Sequence, residues 1–350
     1  MSYEDNIRKV KPYVPGEQPS GSGIIKLNTN ENPYPPSPAV GRVLREFDQD
    51  ILKKYPDPEA VKLTEVLAEE YGVSKEQVFV GVGSDDVLAQ SFLTFFNSKR
   101  PVLFPDITYS FYPVWCDLFG IAYDTVPLNE AFELEAADYD RENGGIVIAN
   151  PNAPTGREAS LSEIESIVKN SPDSVCIIDE AYIDFGGESA LSLIERYENL
   201  LVVRTFSKSR SLAGSRIGFA IGSRKLIAYL SDVKFSFNSY TMDSVTQAIG
   251  VAALTDKGYF SDTVRRIIST RQNAIASFCE LGFSVIPSSA NFLFVTHPTY
   301  PADELFAMLR GRGVYVRYFN SPRIDNYLRV TIGTDEEMKK LFEILREYMG

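Results

Sequence analysis

LLVVRTFSKSRSLAGSRIGFAIGS, residues 200–223, decides how the chain folds. Its ends, LLVVRTFS and GFAIGS, place apolar residues in succession rather than in alternation, as in strands covered by protein on both faces. Between them lies a hydroxyl-rich turn that carries Lys208 and then Arg216. Runs of the same kind recur upstream as VFVGVG, PVLFP, GIVIANP and SVCIIDE, separated by stretches of helical character. In SDDVLAQSFLTFF the residues Val87, Leu88, Ser91, Phe92, Phe95 and Phe96 fall on one helical stripe, which assigns that stripe to the core. Buried strands alternating with amphipathic helices make an α/β fold with a large, doubly wound, mostly parallel sheet.

Working outward, the pattern changes near Ser244. Long helical stretches (SVTQAIGVAALTD, then YFSDTVRRIISTRQNAIASFCELG) lead into SVIPSSANFLFVTH, a helix from PADELFAMLR, and strands in VYVRYF and YLRVTIG. That reads as a second, smaller α/β lobe. Its last helix opens with the capping box Thr334/Glu337 and carries Met338, Leu341, Phe342, Leu345 and Met349 on one face. The expected organisation is an N-terminal arm over residues 1–35, a large domain over 36–255 and a small C-terminal domain over 256–350. Length agrees, since 350 residues suffice for two domains at ~150 residues each.

Composition excludes several classes. With 44% hydrophobic and 23% charged residues the chain is an ordinary folded protein. A net charge of -12 repels nucleic acid and anionic lipid, so any bound anion must be held by local arginines. MSYEDNIRKVKPYVPG has no apolar segment of the signal-peptide kind, and no stretch reaches the ~18 apolar residues of a membrane span. The expectation is a cytoplasmic protein with no membrane or nucleic-acid partner. Cys116, Cys176 and Cys279 are scattered and odd in number, against a disulfide framework or a zinc cluster, and Cys176 in SVCIID reads as a buried thiol. His297 is the single histidine, which excludes two-histidine zinc motifs and reads as a loop residue; no metal is expected.

The chemistry gathers at strand ends, where open α/β sheets bind ligands. Lys208, alone, could be a surface charge. Beside Thr205, Ser207 and the fork of Arg216, its amine would stand next to a gripped oxyanion. GVGSDDV offers a second anion site, with the backbone N–H groups of Ser84 and Asp85 at a helix start, or else an ordinary N-cap made by one of those side chains. It lacks the third glycine of a dinucleotide fingerprint and the lysine of a P-loop. Asp179 ends the apolar run SVCIID, where a carboxylate calls for a cation such as a charged ring nitrogen. Tyr109 in FPDITYSFY either covers a flat heterocycle or fills the core.

KPYVPG, LNTNENPYPPSP, KKYPDP, GVGSDD, FPDITYSFY, NPNAPTG, IIDEAY, RTFSKSRSLAGSRIGF, SSANFLF and YLRVTIGT follow one another along essentially the whole chain. With these motifs the sequence resembles the fold-type I pyridoxal-phosphate aminotransferases of class I/II, most closely those acting on histidinol phosphate. The resemblance implies a seven-stranded large sheet and pyridoxal 5'-phosphate carried covalently on Lys208. Asp179 would pair with the cofactor's ring nitrogen, Tyr182 would bond its phenolic oxygen and Tyr109 would stack on its ring. Ser84, Asp85, Thr205, Ser207 and Arg216 would hold its phosphate, with Tyr55 from the partner subunit of a homodimer. Arg329 would clamp the substrate anion, with Tyr13, Asn30, Asn291 and Arg317 completing the pocket.

One departure stands out: the family's asparagine before Pro-Thr-Gly is Ala153 here, and Asn152 is expected to take over its bond to the phenolic oxygen, the alternative being that Asn150 and Asn152 shape a turn. The implied reaction moves an amino group between L-histidinol phosphate and 2-oxoglutarate in histidine biosynthesis. Threonine-phosphate decarboxylation, aspartate or aromatic transamination, and a non-catalytic regulatory role for the cofactor are the alternatives.

Overall fold

The computed structural model describes residues 2–21 and 23–350. After a two-residue strand β1 (Ile25–Lys26) come helices α1 (Pro38–Glu46) and α2 (Val61–Tyr71). Next are β2 (Val78–Gly81), α3 (Ser84–Phe95), β3 (Val102–Pro105), α4 (Tyr112–Phe119), β4 (Tyr123–Val126), β5 (Gly145–Ala149), α5 (Leu161–Asn170), β6 (Cys176–Asp179), β7 (Leu200–Thr205) and β8 (Gly218–Gly222). Helices α6 (Arg224–Phe237), α7 (Ser244–Thr255) and α8 (Lys257–Glu280) follow. The chain ends with β9 (Ser284–Ile286), β10 (Phe292–Thr296), α9 (Ala302–Gly311), β11 (Val314–Tyr315), β12 (Arg317–Tyr318), β13 (Leu328–Thr331) and α10 (Asp335–Met349).

Seven strands form one sheet in the order β2-β8-β7-β6-β5-β3-β4. Only β8 runs against its neighbours. The unbroken apolar runs have a simple cause: alternate residues of each strand enter different cores. Ile146, Ile148, Ile178, Leu200 and Val202 pack with α2, α5 and α7 on one face. Val147, Ile177, Leu201 and Val203 pack with α3, α4 and α6 on the other. Along α3 the stripe is buried at Val87, Leu88, Ser91 and Phe92. A four-stranded antiparallel sheet, β12-β13-β10-β9, shares a separate core with α8, α9 and α10. The capping box of α10 forms as expected, with Thr334 N–H donating to Glu337 and Glu337 N–H to Thr334 Oγ1.

Three features depart from the sequence reading. β4 is an additional edge strand whose Tyr123, Asp124 and Thr125 are exposed, so it lacks the apolar run that marks the others. VYVRYF does not make one strand, because β11 pairs in parallel with β1 while β12 joins β13. The stretch read as arm is therefore not one unit: Ile25–Lys26 pairs with β11, and Leu27 is buried in the core of the second sheet. Among the described residues no helix is long and apolar enough to cross a membrane.

Candidate active site

β2, β3, β5, β6 and β7 all end at the same edge of the large sheet, and β8 begins there, with Gly218 level with Gly81 and Thr205. A cavity of about 910 Å³ opens at this edge and reaches to the antiparallel sheet. It collects most of the residues singled out from sequence: Tyr13, Asn30, Ser84, Asp85, Tyr109, Asp179, Tyr182, Thr205, Ser207, Lys208, Arg216, Arg317 and Arg329. Three others lie elsewhere. Tyr55 is 81% exposed and stacks on Tyr240, ring centroids 4.7 Å apart, away from the cavity of its own chain.

Asn152 is buried but does not line the cavity. Its Nδ2 donates to the Ile107 carbonyl (2.9 Å) and Thr155 Oγ1 (3.0 Å), while its Oδ1 accepts from Thr108 (2.8 Å). Its amide is therefore spent on Thr155 of its own turn and on Ile107 and Thr108 after β3, so this structure does not aim it into the cavity for the takeover expected of it. Asn291 is fully buried outside the lining too, its Nδ2 donating to the Asn30 carbonyl at 3.0 Å.

Lys208 follows the end of β7, where its Nζ donates to the Thr29 carbonyl at 3.2 Å and lies 5.7 Å from the ring centroid of Tyr182. At the end of β6 stands the buried Asp179. Its Oδ2 accepts from Tyr112 Oη (3.0 Å) and its Oδ1 from the Ala181 amide (3.2 Å). Burial pushes its carboxyl up to about 6, with Asp85 adding, against the Tyr112 hydroxyl, the Ala181 amide and Lys208. Tyr112 was missed in the sequence. It follows Tyr109 by three residues at the start of α4, and a polar group on that turn behind a strand-end carboxylate was the available signal.

Ser84, Asp85, Ser207 and Arg216 line another part of the cavity, beside the start of α3. The N-cap of α3 is Gly83 (φ 89°), with no side-chain cap, so neither Ser84 nor Asp85 caps the helix as the plainer reading had it. Its first N–H groups are left without helical partners, as at any helix start. A Cβ at Gly83 would overlap the Arg216 guanidinium, so glycine lets that group lie across the turn. Arg216 Nη2 donates to Asp85 (3.0 Å) and Nη1 to Ser207 Oγ (3.4 Å). Asp85 in turn accepts from Tyr109 Oη at 2.8 Å. Gly218 lets β8 run against this helix start, since a Cβ there would overlap the backbone of Gly83 and Ser84. Backbone cannot yield as a side chain can, so Gly218→Ala is expected to cost about 1–3 kcal/mol in a denaturant melt.

At the far end, strand register sets Arg317 directly opposite Arg329. Like charges facing across a strand pair repel. Arg329 Nη2 donates to the Asn28 carbonyl (2.9 Å), but its Nε has no partner among the described residues. Burial lowers the Arg329 pKa, and Arg317 adds to the effect against the phenols of Tyr182, Tyr13 and Tyr109. A second anion would relieve this pair. His297 is outside the site: its Nδ1 accepts from the Thr299 and Tyr300 amides, leaving Nε2 to donate to Leu281. Cys116 and Cys176 are buried. Among the described residues no cluster of His, Cys, Asp and Glu could hold a metal.

The sequence profile of aminotransferase class I and II matches residues 22–345. The chain belongs to this family. Among curated members, this aminotransferase is 53% identical over 349 residues to the histidinol-phosphate aminotransferase of Lactococcus lactis subsp. cremoris (strain SK11), covering 100% of this chain and 98% of the relative. It is 51% identical over 349 residues to that of Acinetobacter baumannii (strain AB307-0294), covering 99% and 96%. Among solved structures, histidinol-phosphate aminotransferase from Sinorhizobium meliloti in complex with pyridoxal-5'-phosphate superposes with a TM-score of 0.83 at 25% identity, covering 93% of this chain and 91% of that one. The fold is thus that of the fold-type I aminotransferases.

Proposed function

We propose that this aminotransferase moves an amino group between L-histidinol phosphate and 2-oxoglutarate, with pyridoxal 5'-phosphate as cofactor, as a step of histidine biosynthesis. The observation that carries the reading is the cavity's charge layout, with Lys208 and Asp179 in the middle and a cationic anion site at each end. One site faces the start of α3, where Gly83 and Arg216 suit the cofactor's phosphate. The other, Arg317 opposite Arg329, suits the anion of the substrate, whether a phosphate ester or a carboxylate. Relatives named for histidinol phosphate at 51–53% identity along the whole chain support the substrate.

The residues fit the cofactor. Lys208 would carry it, Asp179 would face the ring nitrogen and Tyr182 the phenolic oxygen, while Tyr109 would cover the ring. Ser84, Asp85, Thr205, Ser207 and Arg216 would hold the phosphate. When bound, pyridoxal phosphate supplies an electron-withdrawing ring that takes up the electron pair left as the substrate loses a proton from the carbon bearing nitrogen. The ε-amine of Lys208 would take that proton and deliver it to the cofactor's side of the nitrogen rather than back to the substrate carbon. Asp179, costly to ionise where it is buried, would gain a cation to face. Arg329 and Arg317 orient the substrate so that the proton meets Lys208, and Tyr13, stacked on Phe111 at 4.2 Å, closes the wall beside them.

We also propose a homodimer in the cytoplasm. Tyr55 and Tyr240 form an exposed stacked pair, and Tyr55, which does not line the cavity of its own chain, suits a phosphate contact in a second copy. A large domain and a small domain divided near residue 255 accompany this reading, supported by the separate core of the antiparallel sheet, which Leu27 and Tyr34 of the N-terminal stretch join.

The test is a donor screen at fixed 2-oxoglutarate with histidinol phosphate, threonine phosphate, aspartate and phenylalanine. Histidinol phosphate is expected to give the highest kcat/KM. Carbon dioxide from threonine phosphate, or preference for an unphosphorylated donor, contradicts the proposal. Arg329→Ala should lower kcat/KM for histidinol phosphate by about 10²-fold or more, because a desolvated charge pair is lost while Arg317 stays in place.

A further inference from the structure

The family's second donor to the cofactor's phenolic oxygen is missing in this chain. Ala153 lines the cavity there, packed with Ala290, Phe292 and the Tyr182 ring in a small apolar cluster. Asn152 is held by Ile107, Thr155 and Thr108 and cannot replace it. The burden falls on the one hydroxyl of Tyr182, whose proton can point in only one direction at a time.

We infer that Asn30 is the positioning residue that aims this proton into the cavity. Its Nδ2 donates to Tyr182 Oη at 2.9 Å. A donor on that oxygen occupies an acceptor lobe, leaves the phenol's own proton for the cavity and strengthens it by polarisation. Asn30 is itself locked, 1% exposed and with φ 56°, a conformation asparagine tolerates. Its N–H donates to Thr331 Oγ1 (3.0 Å), and that hydroxyl, already accepting, donates its proton to Asn30 Oδ1 (3.1 Å). The oxygen end of the amide is thereby engaged by Thr331, so the nitrogen end faces Tyr182. Asn291 Nδ2 fixes the Asn30 carbonyl at 3.0 Å. This inference rests on the proposed attachment of pyridoxal phosphate to Lys208.

The test is a pH titration of the visible absorbance of cofactor-loaded protein, which follows the proton on the Lys208 linkage. That proton faces the phenolic oxygen, so a hydrogen bond to the oxygen counts for more once the linkage has lost it. Removing the bond lets the linkage keep its proton to higher pH. Asn30→Ala should raise the midpoint by about one pH unit. Tyr182→Phe should raise it at least as far, and Asn30→Ala added to Tyr182→Phe should add nothing, which separates aiming from general loosening. Ala153→Asn, restoring the family's donor, should bring the Asn30→Ala midpoint back down. Should Asn30→Ala fail to fold, the isosteric Thr331→Val releases the same amide and is expected to shift the midpoint the same way. A normal wild-type band with a midpoint unmoved in both Asn30→Ala and Thr331→Val overturns the inference, as does an equal shift with and without Tyr182. Absence of any visible band in the wild type overturns the attachment to Lys208 as well.

Discussion

Lys208→Ala is expected to lower kcat for transamination by about 10⁴-fold or more, because in the proposed mechanism the same amine is both carrier and base. The variant should still bind the cofactor, since the phosphate site proposed at Arg216, Ser207 and the start of α3 does not depend on the lysine. Dialysis against phosphate should then strip the cofactor from the variant more readily than from the wild type. Stopped-flow absorbance with histidinol phosphate checks the first part. A variant that keeps a tenth of wild-type turnover removes Lys208 from the chemistry.

The second large effect is expected at Asp179, where activity and stability should move in opposite directions. Asp179→Asn would put a neutral group where the proposed function sets a carboxylate against the ring nitrogen, and should cost about 10²–10³-fold in kcat, the scale for losing one preorganised electrostatic contact. In the cofactor-free protein the same change should stabilise. Burial raises the Asp179 carboxyl from 3.8 to about 6, so the folded chain holds this proton more tightly than the unfolded one. The stability it contributes is present below about pH 4 and is lost as pH rises through about 6. Above that, cofactor-free Asp179→Asn should be more stable than wild type by about 1–3 kcal/mol, with the difference fading toward pH 4. Glu180, pushed up to about 7 chiefly by burial, stays in both proteins and cancels in the comparison. Urea melts across this range check it; a variant that is less stable at neutral pH would mean that a cation already meets the carboxylate without cofactor.

Much of the fold was legible because a strand with both faces covered announces itself by an unbroken apolar run, as Ile146–Ala149 and Leu200–Val203 do. Tyr123–Val126 could not be read in this way, since an edge strand with three exposed residues leaves no such mark. The two-residue pairing of Ile25–Lys26 with Val314–Tyr315 is too short for any periodicity to register. In the site, Lys208, Asp179 and Arg216 were legible because strand ends and glycine turns show in the sequence. What remained hidden depends on side-chain direction and register. The facing of Arg317 and Arg329 is a property of how β12 pairs with β13. Whether the Asn152 amide turns to the cavity or away from it depends on Thr155 in its own turn and on Ile107 and Thr108 after β3. Tyr112 supports Asp179 from a helix whose start only the packed structure brings beneath β6.

The attachment point of the cofactor decides more of this account than any rate does. Protein loaded with pyridoxal phosphate, reduced with borohydride and digested, should yield one pyridoxyl-modified peptide by mass spectrometry, with the modification on Lys208. A pyridoxyl group on any other lysine, or none on Lys208 in fully loaded protein, would contradict it.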